Sequence, residues 1–447
     1  MYRLLFEKLI EWKDNPGKKP LILRGVRQCG KTFLLKEFGA KHYGDVFYCK
    51  FDEDRSLEGF FTQNLDPARI IKDMSIYRGK DIKPRSTLVI FDEIQSCGPA
   101  LTSLKYFYED APEYHIIAAG SLLGVAVPKG TSFPVGKVEF LNLYPMNFYE
   151  FLYANNPMLA QHIKDSAPGD AVWRPFKAPL EEMYREYQVV GGMPEAVQCW
   201  IDTKSFEGVE KIQSQIIMGY ENDFAKHAPL HYYPKLSAIW NAVPSQLAKE
   251  NRKFIFSQVK KGWRAKDLED ALEWLVQSGL VYKVVNIEKP FIPISSYANH
   301  AYFKLYLSDI GLLRRLANLP PSALFENAGG NSAFSGYTEF KGAMAENYVC
   351  CELKRIYETN IFYWTAEGTA KAEIDFVVQD GADIIPIEVK AGTAVHARSL
   401  GQYCKKYNPA ISVLTSMDHD KDHILPLYIF WNFKQWINRA ANRALSP

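Results

Sequence analysis

Along the first 155 residues, short apolar runs alternate with stretches whose hydrophobic side chains recur at helical spacing. The opening MYRLLFEKLIEWK, with Glu7 and Glu11 among its apolar residues, reads as an amphipathic helix. Leu21–Leu23 follows as a buried strand, and Phe33, Leu34, Leu35 and Phe38 then mark a helix face. Further strands are read at Val46–Phe51, Thr87–Phe91, His115–Ala119 and Lys137–Leu143. Five strands with helices between them predict an α/β region, a mostly parallel sheet covered on both faces.

From about residue 156 to 225 the pattern is mainly helical. The Pro-rich Ala167–Pro179 reads as a loop, and Gly191-Gly192-Met193-Pro194 as a helix break and restart after Tyr184–Val190. Residues 226–316 change character. Asp267–Gly279 places Leu268, Ala271, Leu272 and Leu275 on one helix face, and Leu280–Val285 and Ala301–Leu307 read as strands. Ser308-Asp309 caps a short helix ending at Leu316. Helices followed by a short β element predict a winged-helix unit. Pro320–Ser335 reads as a linker or ordered loop. In residues 335–447 a helix over Lys341–Tyr357 precedes a strand at Ile361–Trp364. A hairpin then runs out along Glu373–Val378, turns at Asp380-Gly381 and returns along Ile384–Lys390. His419–His423 reads as a solvated loop, not a metal site, before a strand at Ile424–Phe430.

Composition narrows the class. A chain of 447 residues predicts two or three domains, and 47% hydrophobic with 23% charged residues is ordinary for a soluble globular protein. A net charge of +2 carries no global nucleic-acid signature, so any such binding must come from local patches. The longest apolar run, near Ile116–Val127, is broken by glycines and serine and is too short to span a bilayer, and the N-terminus does not read as a secretion signal. No membrane is expected. Seven cysteines, an odd count without a C-x-x-C pair, predict neither a disulfide framework nor a zinc site. The expected compartment is the cytoplasm.

The chemistry begins at Gly25-Val26-Arg27-Gln28-Cys29-Gly30-Lys31-Thr32, a G-x-x-x-x-G-K-T run between a strand and a helix. Gly25 and Gly30 let successive backbone N–H groups face a phosphate chain at a helix N-terminus whose dipole favours anions. Lys31 would reach the β- and γ-phosphates and Thr32 would ligate Mg²⁺, so Gly25, Arg27, Gln28, Cys29, Gly30, Lys31, Thr32 and Phe33 form the expected ATP or GTP site. Cys29 is either a filler residue or an oxidisable thiol. Thr87–Phe91 ends in Asp92 and Glu93, which puts Asp92 beside the nucleotide's Mg²⁺ and makes Glu93 the base that polarises the attacking water. Ser121, after the His115–Ala119 strand, is a candidate sensor of the γ-phosphate or equally a turn serine.

GVRQCGKT, VIFDEI, HIIAAGSLLG and VEFLNLYPMNFYEFL, in this order, resemble prokaryotic AAA+-like P-loop ATPases, in which an arginine often stands two residues after the first loop glycine, as Arg27 does. The resemblance implies a P-loop NTPase sheet in residues 1–155, with the sensor strand between the loop strand and the Asp92 strand. It also implies a helical lid over 156–225 and a winged-helix-like domain over 226–316. Arg174 and Arg185 are candidates for a charge-sensing arginine, with no finger assigned.

Two further features bear on partners. Between Lys249 and Lys266 stand seven basic residues, Lys249, Arg252, Lys253, Lys260, Lys261, Arg264 and Lys266, which read either as phosphate contacts to DNA or as a solvated face. In the C-terminal hairpin, Glu388 and Lys390 share a strand face and Asp375 lies on the preceding strand, so the carboxylates would meet at one Mg²⁺ or Mn²⁺, with Glu346 completing the set and Lys390 orienting a hydroxide. D-x(n)-E-x-K in this setting resembles the PD-(D/E)-x-K nuclease superfamily, with Ile374 where its proline is expected. The whole region resembles an uncharacterised domain fused to these ATPases. Two function classes follow: ATP-gated cleavage of DNA or RNA, and a nucleotide-switched protein whose C-terminal domain contacts a protein partner or a second copy without cutting.

Overall fold

The computed structural model describes residues 1–121, 133–164, 166, 171–229, 231–249, 252–325, 337–358, 361–366, 372–392, 397–417 and 424–445. The His419–His423 loop and most of the expected linker therefore lie outside the described residues. The chain forms two units, Met1–Pro145 with Gln277–Gly279, and Met146–Val276 with Leu280–Pro447.

The first unit alternates helix and strand in the order α1 (Leu5–Asp14), β1 (Leu21–Gly25), α2 (Lys31–His42), β2 (Asp45–Lys50), α3 (Pro67–Arg78), β3 (Thr87–Asp92), α4 (Gly98–Asp110), β4 (His115–Ser121) and β5 (Glu139–Leu143). The sheet order is β2-β3-β4-β1-β5 and every pairing is parallel. β4 thus separates the loop strand from the Asp92 strand, as the resemblance implied. β3 is buried at all six positions, which is why its sequence is continuously apolar and not alternating. Alternate residues Val89 and Phe91, and Ile116 and Ala118, join a core with Ile70 and Met74 of α3 and Leu101, Leu104 and Phe107 of α4. Local chemistry fixes the helix ends: the Asp66 side chain accepts from the N–H groups of Ala68 and Arg69, Pro67 follows, and Gly79 closes α3 at φ 70°.

The second unit continues with α5 (Phe148–Asn155), α6 (Pro157–Lys164), α7 (Lys177–Val190), α8 (Pro194–Thr203), α9 (Phe206–His227), α10 (Tyr233–Leu247) and α11 (Ala265–Gln277). Then come β6 (Val281–Ile287), β7 (Ala298–Leu307), α12 (Ile310–Leu316), α13 (Ser322–Phe325), α14 (Tyr337–Tyr357), β8 (Ile361–Thr365), β9 (Glu373–Asp380), β10 (Asp383–Val389), α15 (Arg398–Tyr407), β11 (Val413–Ser416), β12 (Ile424–Pro426) and α16 (Phe433–Leu445). The expected loop at Ala167–Pro179 is, in its described part, a 3₁₀ turn over Ala171–Phe176 running into α7. The expected last strand stops at Pro426, whose fixed φ leads into a 3₁₀ turn over Leu427–Asn432.

The largest departure concerns the expected winged-helix and C-terminal domains. Strands from both form one seven-stranded sheet, β12-β11-β10-β9-β8-β6-β7. β6 runs parallel to β8, with Val285 opposite Phe362 and Ile287 opposite Trp364, so the 281–307 hairpin is the edge of the C-terminal sheet and not a separate wing. On α14 the side chains of Ala345, Tyr348, Val349 and Leu353 are buried, and α15 supplies Leu400 and Tyr403 to a core holding Trp364, Ile374 and Leu414.

Candidate functional site

The loop after β1 is built by backbone constraints. A Cβ on Gly25 would lie 2.3 Å from the Leu143 carbonyl oxygen, so only glycine lets β1 leave the sheet here. Gln28 and Gly30 both take left-handed backbone, at φ 63° and 94°, and turn the chain into α2. Arg3, ahead of α1 and 4% exposed, donates from Nη1 to the Cys29 carbonyl over 2.9 Å and from Nη2 to the Tyr144 carbonyl. Cys29 is buried, its Sγ 3.6 Å from the Leu143 carbonyl, which fits the filler reading. Arg27 is half-buried, while Gln28 and Phe33 face outward.

Lys31 opens α2 and is 6% exposed. Its ammonium donates to the carbonyls of Gly25 at 3.1 Å and Val26 at 3.0 Å, and no carboxylate pairs with it among the described residues. A buried cation whose partners are neutral carbonyls gains more from an anion, because charge–charge attraction in a water-poor site exceeds the attraction of a charge to carbonyl dipoles.

Thr32, one residue on, donates from Oγ1 to Asp92 Oδ2 over 2.6 Å. Tyr48 of β2 donates its phenol to the same oxygen at 2.7 Å, and the Glu93 N–H donates to Oδ1 at 3.0 Å. Burial, reinforced by the bond to Asp92, pushes the Tyr48 phenol well above its usual range. The Lys36 ammonium lies 3.8 Å over the Tyr48 ring. Glu93 itself sits at φ 51°, a left-handed conformation costly for a non-glycine residue, and its carboxylate accepts from Gln95 Nε2. Ser121 ends β4 with its backbone in register with Gly25; its side chain lies outside the described atoms. The Thr32 hydroxyl and Asp92 carboxylate are the hard oxygen donors that suit Mg²⁺, and they meet beside Lys31. Arg3 and Tyr48 carried no sequence signal of their own, since both act through contacts distant in sequence.

In the second unit, the last β9–β10 pair is Phe376 with Ile387, and one residue beyond it stand Asp375 and Glu388. The Val389 N–H donates to Asp375 Oδ2 over 2.8 Å, and Lys390 Nζ donates to Glu388 Oε1 over 2.6 Å. Burial first, and the Asp375 charge second, push the Glu388 carboxyl up to about 7. Glu346 of α14, 1% exposed, accepts from the Tyr306 phenol at 2.9 Å. The four expected residues do gather, but two unexpected cations stand among them. Lys304 of β7 reaches Glu373 at 2.6 Å, Glu346 at 3.6 Å and Asp375 at 4.0 Å, and Arg252 pairs with Glu346 and lies 3.9 Å from Asp375. Among the described residues no group of three His, Cys, Asp or Glu side chains is arranged to hold a metal ion. In this arrangement the charge of Glu346, Asp375 and Glu388, the expected Mg²⁺ set, is met by cations of the chain itself.

The basic run divides accordingly. Arg252 faces this cluster and not solvent phosphates, whereas Lys260, Lys261, Arg264 and Lys266 are exposed, Lys260 4.8 Å over the Trp263 ring. Of the two candidate sensor arginines, Arg174 is exposed and Arg185 lies 3.6 Å from Glu181 one helical turn away.

Comparison with known proteins bears on the first unit above all. Residues 17–152 match the family described as AAA domain, a span that contains Gly25–Thr32, Asp92 and Glu93. Residues 181–323 and 341–430 match two families each described as a domain of unknown function, DUF8612 and DUF4143. Over 449 residues the chain is 22% identical to Uncharacterized protein MJ1544 of Methanocaldococcus jannaschii, covering 95% of this chain and 90% of that protein. A second protein of that organism, Uncharacterized protein MJ1637, is 26% identical over 213 residues, 44% of this chain and 42% of its own. Among solved structures, the Walker-type ATPase PABY2304 of Pyrococcus abyssi is similar at 15% identity with a TM-score of 0.42, covering 70% of this chain and 94% of that one. The AAA match supports an AAA+-like ATPase in the first unit; the other two matches carry no activity. No helix among the described residues is long and apolar enough to cross a membrane.

Proposed function

We propose that this protein binds ATP at Gly25–Phe33 and hydrolyses it as a nucleotide-dependent switch. The observation that carries this reading is the buried Lys31 ammonium, held by the Gly25 and Val26 carbonyls beside the Thr32–Asp92 pair. Exchanging two neutral carbonyls for phosphate oxygens gives Lys31 the anionic partner it lacks. Mg²⁺, bound with the nucleotide, would be held by Thr32 and Asp92 and would offset phosphate charge. Glu93, held by Gln95 just beyond Asp92, is the residue to accept the proton of the attacking water. Titration of the folded chain with a fluorescent ATP analogue tests the binding half. Saturable binding that Lys31→Ala abolishes is the expected result, and equal affinity in both chains overturns the assignment.

For the C-terminal region we take the reading in which it contacts a partner without cutting. Lys304 and Arg252 among the carboxylates favour it over phosphodiester cleavage, which needs a metal between those acids. A panel of labelled DNA and RNA, incubated with the full chain, ATP and Mg²⁺ or Mn²⁺, should remain intact. Cleavage that Asp375→Asn removes restores the nuclease reading.

A further inference from the structure

We propose that Lys304 and Arg252 are the resident cations of the Glu346–Glu373–Asp375–Glu388 cluster and exclude a divalent metal from it. The proposal deepens the non-cutting reading of the C-terminal region and is independent of the nucleotide site.

Both cations are held in place by the fold itself. Lys304 lies between Phe303 and Leu305, which are buried in the core, so strand alternation sends Lys304 and Tyr306 to the same face, where both meet Glu346. Its side chain is fully enclosed, passes 5.1 Å over the Tyr363 ring of β8 and ends on Glu373 of β9. An ammonium enclosed to this degree is stable only while its carboxylate partners stay charged and close.

Arg252 has a seat of its own. A Cβ on Gly342 of α14 would lie 2.4 Å from Arg252 Nη2, so the guanidinium fills the space that a side chain at 342 would take. One helical turn further along α14 stands Glu346, its ion-pair partner. The segment carrying Arg252 is itself tied to the sheet, the Phe254 N–H donating to the Phe303 carbonyl over 2.9 Å.

Charge then decides what the cluster accepts. Four carboxylates, Glu346, Glu373, Asp375 and Glu388, face Lys304, Arg252 and Lys390. A divalent ion drawn to Asp375 and Glu346 would stand within a few ångströms of the enclosed Lys304 ammonium, which cannot turn into solvent to avoid it. The like-charge repulsion is strongest where water is excluded. The cations take the role that a metal plays among clustered acids, holding carboxylates together that would otherwise repel.

The test uses the full chain carrying Asp92→Asn, which removes the metal carboxylate of the nucleotide site, and counts bound Mn²⁺ by electron paramagnetic resonance. At millimolar Mn²⁺ this chain should bind none. Adding Lys304→Met should create a site for a single Mn²⁺, and adding Asp375→Asn to that variant should remove it. A Lys304→Met chain that folds only when Mn²⁺ is present is the same result read through stability. Should Lys304→Met fail to fold under any condition, Lys304→Met with Glu373→Gln removes a matched pair and should still gain Mn²⁺ binding. The proposal is overturned if the Asp92→Asn chain already binds Mn²⁺ in a manner Asp375→Asn abolishes. It is equally overturned if a folded Lys304-deleted chain of either kind gains no binding.

Discussion

Thr32 Oγ1 donates to Asp92 Oδ2 over 2.6 Å, joining the first turn of α2 to the end of β3 across sixty positions of sequence. The contact exists because parallel strands point their C-terminal ends the same way, with β4 holding β1 and β3 a fixed distance apart. Tyr48 shares the same oxygen at 2.7 Å from β2. Tyr48→Phe should remove one donor from the buried Asp92 and lower stability by about 1–2 kcal/mol, with ATP turnover reduced severalfold. Urea denaturation measures the first effect; unchanged stability would mean that water replaces the phenol at no cost.

Arg3 offers a second prediction. Its guanidinium bonds the Cys29 and Tyr144 carbonyls and so ties the Gly25–Thr32 loop to the chain just after β5. Arg3→Ala should weaken ATP affinity by about tenfold, or ~1.4 kcal/mol, while leaving the turnover of saturated protein nearly unchanged. Arg3→Lys, which keeps one donor, should recover part of the loss. A chain with wild-type affinity after Arg3→Ala would mean that Gly25, Gln28 and Gly30 shape the loop unaided.

His115 predicts a pH dependence for the first unit. Burial, then the Lys18, Lys13 and Arg85 charges, lower its imidazole from 6.5 to about 4, and its Nδ1 lies 2.8 Å from the Tyr43 phenol oxygen. Between these values the unfolded chain binds a proton that the folded chain refuses. The neutral histidine's contribution is therefore complete above about pH 6.5, falls as pH is lowered through that window and levels off below about pH 4. The loss is at most about 3 kcal/mol. His115→Gln should flatten this part of the stability profile, and superimposable profiles for the two chains would remove His115 from the account.

What was legible in the sequence was local. Gly25–Thr32 is contiguous, with a strand before it and a helix after, and Asp92 is marked by ending an apolar run, so both could be placed from their neighbours alone. Asp375, Glu388 and Lys390 were legible as a group because a short hairpin fixes their separation. Arg3 was hidden because its partners stand 26 and 141 residues away. Lys304 was hidden in AYFKLYL, where a lysine between apolar residues reads as the solvent side of a strand; it is buried because α14 covers that face. The joining of β6 to β8 was beyond local reading for the same reason, since parallel pairing between distant segments leaves no mark in either one.

In the proposed function Lys31 and Glu93 divide nucleotide binding and hydrolysis between them, and ATP binding and turnover measured on the same preparations separate the two roles. The wild-type chain should bind ATP and release phosphate, Lys31→Ala should do neither, and Glu93→Gln should bind ATP with undiminished affinity while turnover falls by roughly a hundredfold or more. Phosphate release from Glu93→Gln at the wild-type rate, or ATP binding by Lys31→Ala equal to that of the wild type, would contradict the account.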